Sequence, residues 1–195
     1  MNIAIDIDDS MAKFVEAFLP FYNATTGKNL AKKDIHSSDL RLYWGMPKDS
    51  AAGVIDTFVR AGGLDTLALY PDVRETLERL SKQHTLFIIT GRKIAWRQST
   101  ERWIRQHLAG IPFKVLFAGD FYTTQGKTKA QLCVEQGIHT IIEDDATFAK
   151  ACAEAGIRVL LVDQPWNESL RSEKITRVRE WKEIEQILKG SSPLF

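Results

Sequence analysis

Asn2-Ile3-Ala4-Ile5-Asp6-Ile7-Asp8-Asp9-Ser10 is a short apolar run that ends in acid. Residues 3–7 are too few for a buried helix and rich in isoleucine, so they read as a buried strand. Four later runs have the same character, at residues 85–90, 113–117, 140–142 and 158–162. Helical spacing fills the gaps among them, at 72–82, 94–108, 129–136 and 145–155. Val73, Leu77 and Leu80 repeat by four and three, and Gly137 and Gly156 stand where two of these helices should stop. Strands alternating with helices imply parallel βαβ units, hence an α/β fold whose open parallel sheet is covered on both faces.

Residues 11–70 break the alternation. A helix is expected over 11–22 with Ser10 as its N-cap, and a second over 47–61, with Pro47 in its first turn and Gly62-Gly63 as its stop. The stretch 25–44 between them is polar, basic and irregular. Such an insertion emerges above the carboxyl edge of the sheet, where α/β folds bind ligands. The expected organisation is a core of residues 1–10 and 71–195 with a small helical cap of residues 11–70. A last helix is expected over 178–189, where Trp181, Ile184 and Leu188 recur at helical spacing.

Composition narrows the function. A chain of 195 residues buries roughly 70% of its surface on folding, enough for one substantial core. Lysine and arginine number 26 against 25 acidic residues, which argues against a nucleic-acid binder working through a general basic field. An apolar share of 44% excludes intrinsic disorder, and no run approaches the ~18 apolar residues of a membrane span. The first residues lack the basic and apolar regions of a secretory leader, and Cys133 and Cys152 form no CxxC pair, so a reducing cytoplasm is the expected setting.

The chemistry is expected at the strand ends. The first strand ends in Asp6-Ile7-Asp8-Asp9, the second in Thr90-Gly91-Arg92, and the fourth in Glu143-Asp144-Asp145; Lys129 opens the helix after the third. In a parallel sheet these positions share one edge, so groups far apart in sequence can meet in one crevice. Asp6 and Asp8, two apart on a strand, project to one side, where two carboxylates repel unless a cation joins them. Hard oxygen ligands of this kind suit Mg²⁺ with a substrate phosphate. Either acidic cluster alone reads first as a solvated strand end or an acidic helix start, and it is the two on one sheet edge that point to a site. The hydroxyl of Thr90 and the backbone beside Gly91 suit a phosphoryl group, and so does a lysine at a helix start; Lys127 competes with Lys129 for that role. Gly126-Lys127-Thr128 is not a P-loop, because its first glycine would fall at Phe121. The four histidines have no ligand spacing.

Taken in order, Asp6-Ile7-Asp8-Asp9-Ser10, Thr90, Lys129 and Glu143-Asp144 resemble the four motifs of the haloacid dehalogenase (HAD) superfamily of phosphohydrolases. The start of the chain, the Lys129-Ala130 helix opening, Ile142-Glu143-Asp144 and Asp163-Gln164-Pro165-Trp166-Asn167 are further similar to bacterial and phage relatives of the 5′(3′)-deoxyribonucleotidases of cytosolic type C. Ser10, Asp145 and Ala146 depart from the commoner residues of that group. The resemblance implies a Rossmann-like core with a C1-type helical cap. It also implies a Mg²⁺-dependent phosphomonoesterase with Asp6 as nucleophile and Asp8 as general acid and base. Mg²⁺ would sit on Asp6, the backbone carbonyl of Asp8, and Asp144. Glu143 and Asp145 would support these ligands from behind, and Thr90, Gly91 and Lys129 would hold the phosphoryl oxygens. Dehalogenase members lack the second aspartate, so Asp8 favours phosphate chemistry. Tyr43, Trp44 and Arg92 are candidate substrate contacts, with Arg92 facing either a phosphate or an acidic cap residue. Phe14, Phe18 and Tyr22, at four-residue spacing, read equally as a core-facing stripe. The expected partner is a small phosphorylated molecule of nucleotide type, with no nucleic acid, no membrane, and self-association open. A phosphatase of sugar phosphates and a non-catalytic phosphate binder are the alternatives.

Overall fold

The computed structural model describes residues 1–37, 48–119 and 126–189, with the backbone alone over residues 48–52. Six strands form one parallel sheet: β1 (Asn2–Ile5), β2 (Thr85–Thr90), β3 (Phe113–Phe117), β4 (Ile138–Glu143), β5 (Arg158–Val162) and β6 (Ile175–Val178). Their order is β3-β2-β1-β4-β5-β6. The order reverses between β1 and β4, which makes the carboxyl ends of these two strands the switch point where such sheets open a crevice. Ile5 is in register with Ile88 and Ile142, and the Asp6 N–H donates to the Ile142 carbonyl at 3.0 Å, so Asp6 lies level with Glu143.

The strand alternation builds two cores. Ile3, Ile5, Leu86, Ile88, Ile142 and Leu160 pack on one face against α1 (Phe14–Thr26), α3 (Val73–Leu80), α4 (Arg97–His107) and α7 (Trp181–Lys189). Ala4, Phe87, Ile141, Val159 and Leu161 pack on the other against α5 (Lys129–Glu135) and α6 (Ala146–Glu154). Cys133 and Cys152 are buried free thiols of this second core.

Between β1 and β2, ahead of α3, the described residues form α1, a 3₁₀ turn at Lys32–Asp34, α2 (Lys48–Arg60) and a 3₁₀ turn at Gly63–Thr66. Phe14 stacks on Phe18 at 5.5 Å between centroids, and Phe58 meets Phe18 edge-on at 5.3 Å, so this aromatic stripe joins the two helices. The chain leaves α1 at Gly27, whose φ of 70° closes the helix through its N–H on the Asn23 carbonyl.

Several boundaries differ from expectation: β1 ends at Ile5, so Asp6 and Asp8 follow the strand, β4 reaches back to Ile138, and α1 runs on to Thr26. Helix α1 starts at Phe14, and Ser10 does not cap it; the Val15 N–H instead donates to both carboxylate oxygens of Asp9 at 3.2 Å. Asp9 reaches back to do this because its φ is +54°, a left-handed conformation that Asp tolerates better than most residues. Val178 belongs to β6 rather than to the last helix, which begins at Trp181. Among the described residues no helix is long and apolar enough to cross a membrane.

Candidate active site

Lys129 is placed by its own helix start. Thr128 caps α5: its hydroxyl accepts the Gln131 N–H at 3.1 Å, while the Gln131 side chain accepts the Thr128 N–H at 2.9 Å. This box turns Lys129 inward over the sheet edge. Its ammonium donates to Asp6 Oδ1 at 2.8 Å and to Glu143 Oε2 at 2.7 Å, with all three side chains buried. The other Glu143 oxygen, Oε1, accepts the N–H groups of Asp144 and Asp145 at 3.1 and 3.0 Å, which fixes the turn after β4. Asp144 Oδ1 accepts the Ser10 hydroxyl at 2.9 Å and its Oδ2 accepts the Trp166 indole N–H at 2.8 Å. One carboxylate oxygen from each of Asp6, Glu143 and Asp144 lies within 4.8 Å of the other two.

The second aspartate is held from the β2 side. Arg92 donates from Nε to Asp8 Oδ2 at 2.8 Å and from Nη2 to Oδ1 at 2.7 Å, a bidentate pair with Arg92 buried and Asp8 more open. The third arm of the guanidinium reaches the Thr100 hydroxyl at 3.2 Å. Among the described residues Arg92 thus meets a core carboxylate and no acidic residue of the insertion. Thr90 is buried, and its hydroxyl accepts the Arg92 backbone N–H at 3.2 Å; the described contacts join it to Arg92 and not to Asp6.

Electrostatics set the character of the cluster. Burial pushes the Asp6 carboxyl above the usual range; Lys129 opposes this and Asp8 adds to it. Burial raises Glu143 to about 8, again against Lys129 and with help from Asp6 and Asp145. Asp144 is raised well above the carboxylate range by burial and then by Glu143, Asp9 and Asp6. Burial alone would lower the Lys129 pKa, but Asp6 and Glu143 outweigh it and the net shift is upward, so the ammonium stays charged. With all three carboxylates ionised, the single ammonium would leave two negative charges, which one divalent cation would balance in place of protons. An all-oxygen donor set at a crevice edge fits a hard ion of that charge.

The expected residues divide clearly. Asp6, Lys129, Glu143 and Asp144 converge, and Asp8, held by Arg92, lies near enough for its charge to act on Asp6. Lys127 does not: it is exposed and pairs with Glu135 at 2.6 Å. Asp145 caps α6, accepting the Thr147 and Phe148 N–H groups at 2.7 and 3.0 Å. Gly91 follows Thr90 at the end of β2. Tyr43 and Trp44 lie outside the described residues. Sequence reasoning missed the contribution of the turn after β5. There Gln164 donates to the Asp9 carbonyl at 2.8 Å and to the Tyr70 hydroxyl at 3.0 Å, while Asn167 donates to the Asp144 carbonyl at 2.8 Å. Only the likeness of residues 163–167 to a known group had marked this stretch.

Comparison with known proteins agrees with the geometry. The family model for the 5′ nucleotidase, deoxy (pyrimidine), cytosolic type C protein matches residues 1–192. A nucleotidase-named protein of Halalkalibacterium halodurans is 26% identical over 191 residues, covering 93% of this chain and 89% of its own. Among solved structures, a haloacid dehalogenase-like hydrolase of Streptococcus pneumoniae superposes with a TM-score of 0.68 at 16% identity, over 96% of this chain and 97% of its own. A Bacillus subtilis protein described as a HAD hydrolase, bound to magnesium, superposes with a TM-score of 0.63 at 16% identity, over the same shares of the two chains. At these identities the structural likeness concerns the fold.

Proposed function

Because the chain belongs to the 5′ nucleotidase, deoxy (pyrimidine), cytosolic type C family and has the haloacid dehalogenase fold, we propose that it is a Mg²⁺-dependent nucleotidase working through an aspartyl-phosphate. Family membership makes it an enzyme of phosphatase and nucleotidase type with a small phosphorylated substrate. The observation that carries the finer reading is the convergence of Asp6, Lys129, Glu143 and Asp144 from separate elements onto one buried point.

In this reading Asp6 attacks phosphorus, the Asp6–phosphorus linkage forms, and the bond to the leaving oxygen breaks. Asp8 gives that oxygen a proton. In the second half Asp8 takes a proton from water as the water attacks phosphorus, the bond to Asp6 breaks, and inorganic phosphate leaves. Proton transfer of this kind is worth about 10²–10⁴-fold in rate. Arg92 grips both oxygens of the resting Asp8 carboxylate and steers it, giving up one of the two bonds whenever Asp8 carries the proton. Lys129 orients Asp6 in the resting site and, with Thr90 and the backbone at Gly91, stabilises the phosphoryl oxygens as charge shifts. Asp6, the Asp8 carbonyl and Asp144 would hold Mg²⁺, with Glu143 fixing the turn behind them. When bound, the ion neutralises phosphoryl charge and orients the group for in-line attack. The magnesium in the Bacillus subtilis structure supports this choice of ion. Residues 11–70 would act as a cap that sets specificity, with Tyr43 and Trp44 as candidate substrate contacts.

The test is a steady-state screen of deoxynucleoside and nucleoside monophosphates against sugar phosphates, with added Mg²⁺. Nucleotides are expected to give the highest kcat/KM, and Asp6→Asn to abolish turnover. Sugar phosphates in first place would refute the substrate class, and full activity in Asp6→Asn would refute the nucleophile.

A further inference from the structure

Asp144 is described by its place at the crevice, but its orientation is set from the far side of the chain. Both of its oxygens are engaged by donors of different kinds. On Oδ1 sits the Ser10 hydroxyl, which can donate or accept and therefore tolerates either protonation state. On Oδ2 sits the Trp166 indole N–H, which can only donate. A proton on Oδ2 would face that N–H with nothing to accept it. The indole therefore selects a bare Oδ2 and fixes the plane of the carboxylate.

The indole is itself held. Trp166 lies buried in the 3₁₀ turn Pro165–Asn167. Asn167 clamps that turn by donating to the Asp144 carbonyl at 2.8 Å and to the Val162 carbonyl at 2.7 Å. From β6, Arg177 donates to the Asn167 side chain and to its carbonyl at 2.5 and 2.8 Å. The Lys32 ammonium, from the insertion, lies 5.8 Å from the centre of the Trp166 ring. Main chain and side chain of Asp144 are thus both gripped by one braced turn, twenty-two residues further along the sequence.

We propose that Trp166 is a positioning residue that, through its indole N–H, holds Asp144 in the orientation that binds the divalent cation. The inference rests on the reading of Asp144 as a metal ligand, and adds a residue that touches neither substrate nor ion. Partners that orient a metal ligand typically change affinity by about 10–100-fold when removed.

Trp166→Phe keeps most of the ring and removes the N–H. A second variant, with 3-benzothienylalanine at position 166, keeps the full bicyclic shape and replaces only the N–H by sulfur, which protects the test against a packing defect. Titration of the substrate-free protein with Mg²⁺ by calorimetry, and with Mn²⁺ by electron paramagnetic resonance, reads the site without turnover. Both variants are expected to bind either ion about 10–100-fold more weakly. The Mg²⁺ concentration for half-maximal hydrolysis should rise by the same factor, with kcat recovered within a few-fold at saturating Mg²⁺. Unchanged metal affinity in a folded variant would overturn the inference while leaving the proposed function standing. Failure of the unmodified protein to bind either ion would overturn the metal reading, and this inference with it.

Discussion

Lys129→Met takes away the one ammonium that the described residues place in the buried cluster and leaves its two partners in place. Asp6 and Glu143 lose the ammonium that stood 2.8 and 2.7 Å away and keep only neutral donors while remaining buried. Removing one partner of a buried pair costs about 3–5 kcal/mol, because a charge is stranded in low dielectric. In a chain of this length about 1 kcal/mol moves the melting temperature by roughly 2–4 °C, so a fall of about 6–20 °C is expected in chelator. The stranded carboxyls can escape the penalty by taking up protons. Burial already raises Asp6, and Glu143 to about 8, so losing Lys129 can only move both further up. The deficit should therefore grow as pH rises through about 8, where Glu143 ionises beside Lys129 in the parent but keeps its proton in the variant, and be smaller at pH 5. Added Mg²⁺ should restore part of it, since a cation can replace the ammonium. Thermal unfolding of both proteins across this range, with chelator and with Mg²⁺, is the assay. A variant as stable as the parent in chelator at pH 8, or a deficit independent of pH, would refute the reasoning.

Arg92→Met frees Asp8 from its bidentate clamp, and kcat is expected to fall by about 10²–10³-fold, within the range that general acid–base catalysis supplies, with a smaller change in KM; an unchanged kcat in steady-state kinetics would contradict this. Asp145→Ala removes a helix cap and not a ligand, so a stability loss of about 0.5–2 kcal/mol in denaturant melts, with Mg²⁺ affinity close to the parent's, is expected. In the metal-free protein Glu143 and Asp9 titrate near 8, well above the ordinary carboxyl range, mainly through burial. The folded chain then holds more protons than the unfolded one between about pH 4 and 8, so stability is full below that window and is lost as pH rises through it, at up to about 1.4 kcal/mol per pH unit for each group. Melting temperatures in chelator should fall across this window, and a flat or rising profile would contradict the assignment.

Much of the fold was legible because its strands are short, apolar and spaced by helices. Residues 85–90, 113–117 and 158–162 coincide with β2, β3 and β5. β6 was not legible: Ile175-Thr176-Arg177-Val178 is a four-residue edge strand, half-buried and half-polar, with no apolar run to announce it. Its omission let the last helix extend to Val178. Ser10 carried a capping signal that was real in type and wrong in partner, because its hydroxyl serves Asp144 and the start of α1 is served by Asp9. Asp6, Lys129, Glu143 and Asp144 could be read because a parallel sheet brings all its strand ends to one edge. Arg92 was noticed but its partner was not, since a bidentate grip across 84 residues leaves no trace in spacing. Trp166 acts through one hydrogen bond and Gln164 through two, over distances in sequence that no periodicity encodes.

The central claim is that groups from the ends of β1 and β4 hold one divalent ion beside the Asp6 carboxylate. Anomalous diffraction from crystals soaked in Mn²⁺ tests it most directly. A single strong peak at coordination distance from Asp6 and Asp144, with Lys129 still seated against Asp6, is the predicted result. A peak elsewhere on the molecule, or an Asp6–Asp144 crevice empty at saturating Mn²⁺, would contradict the account.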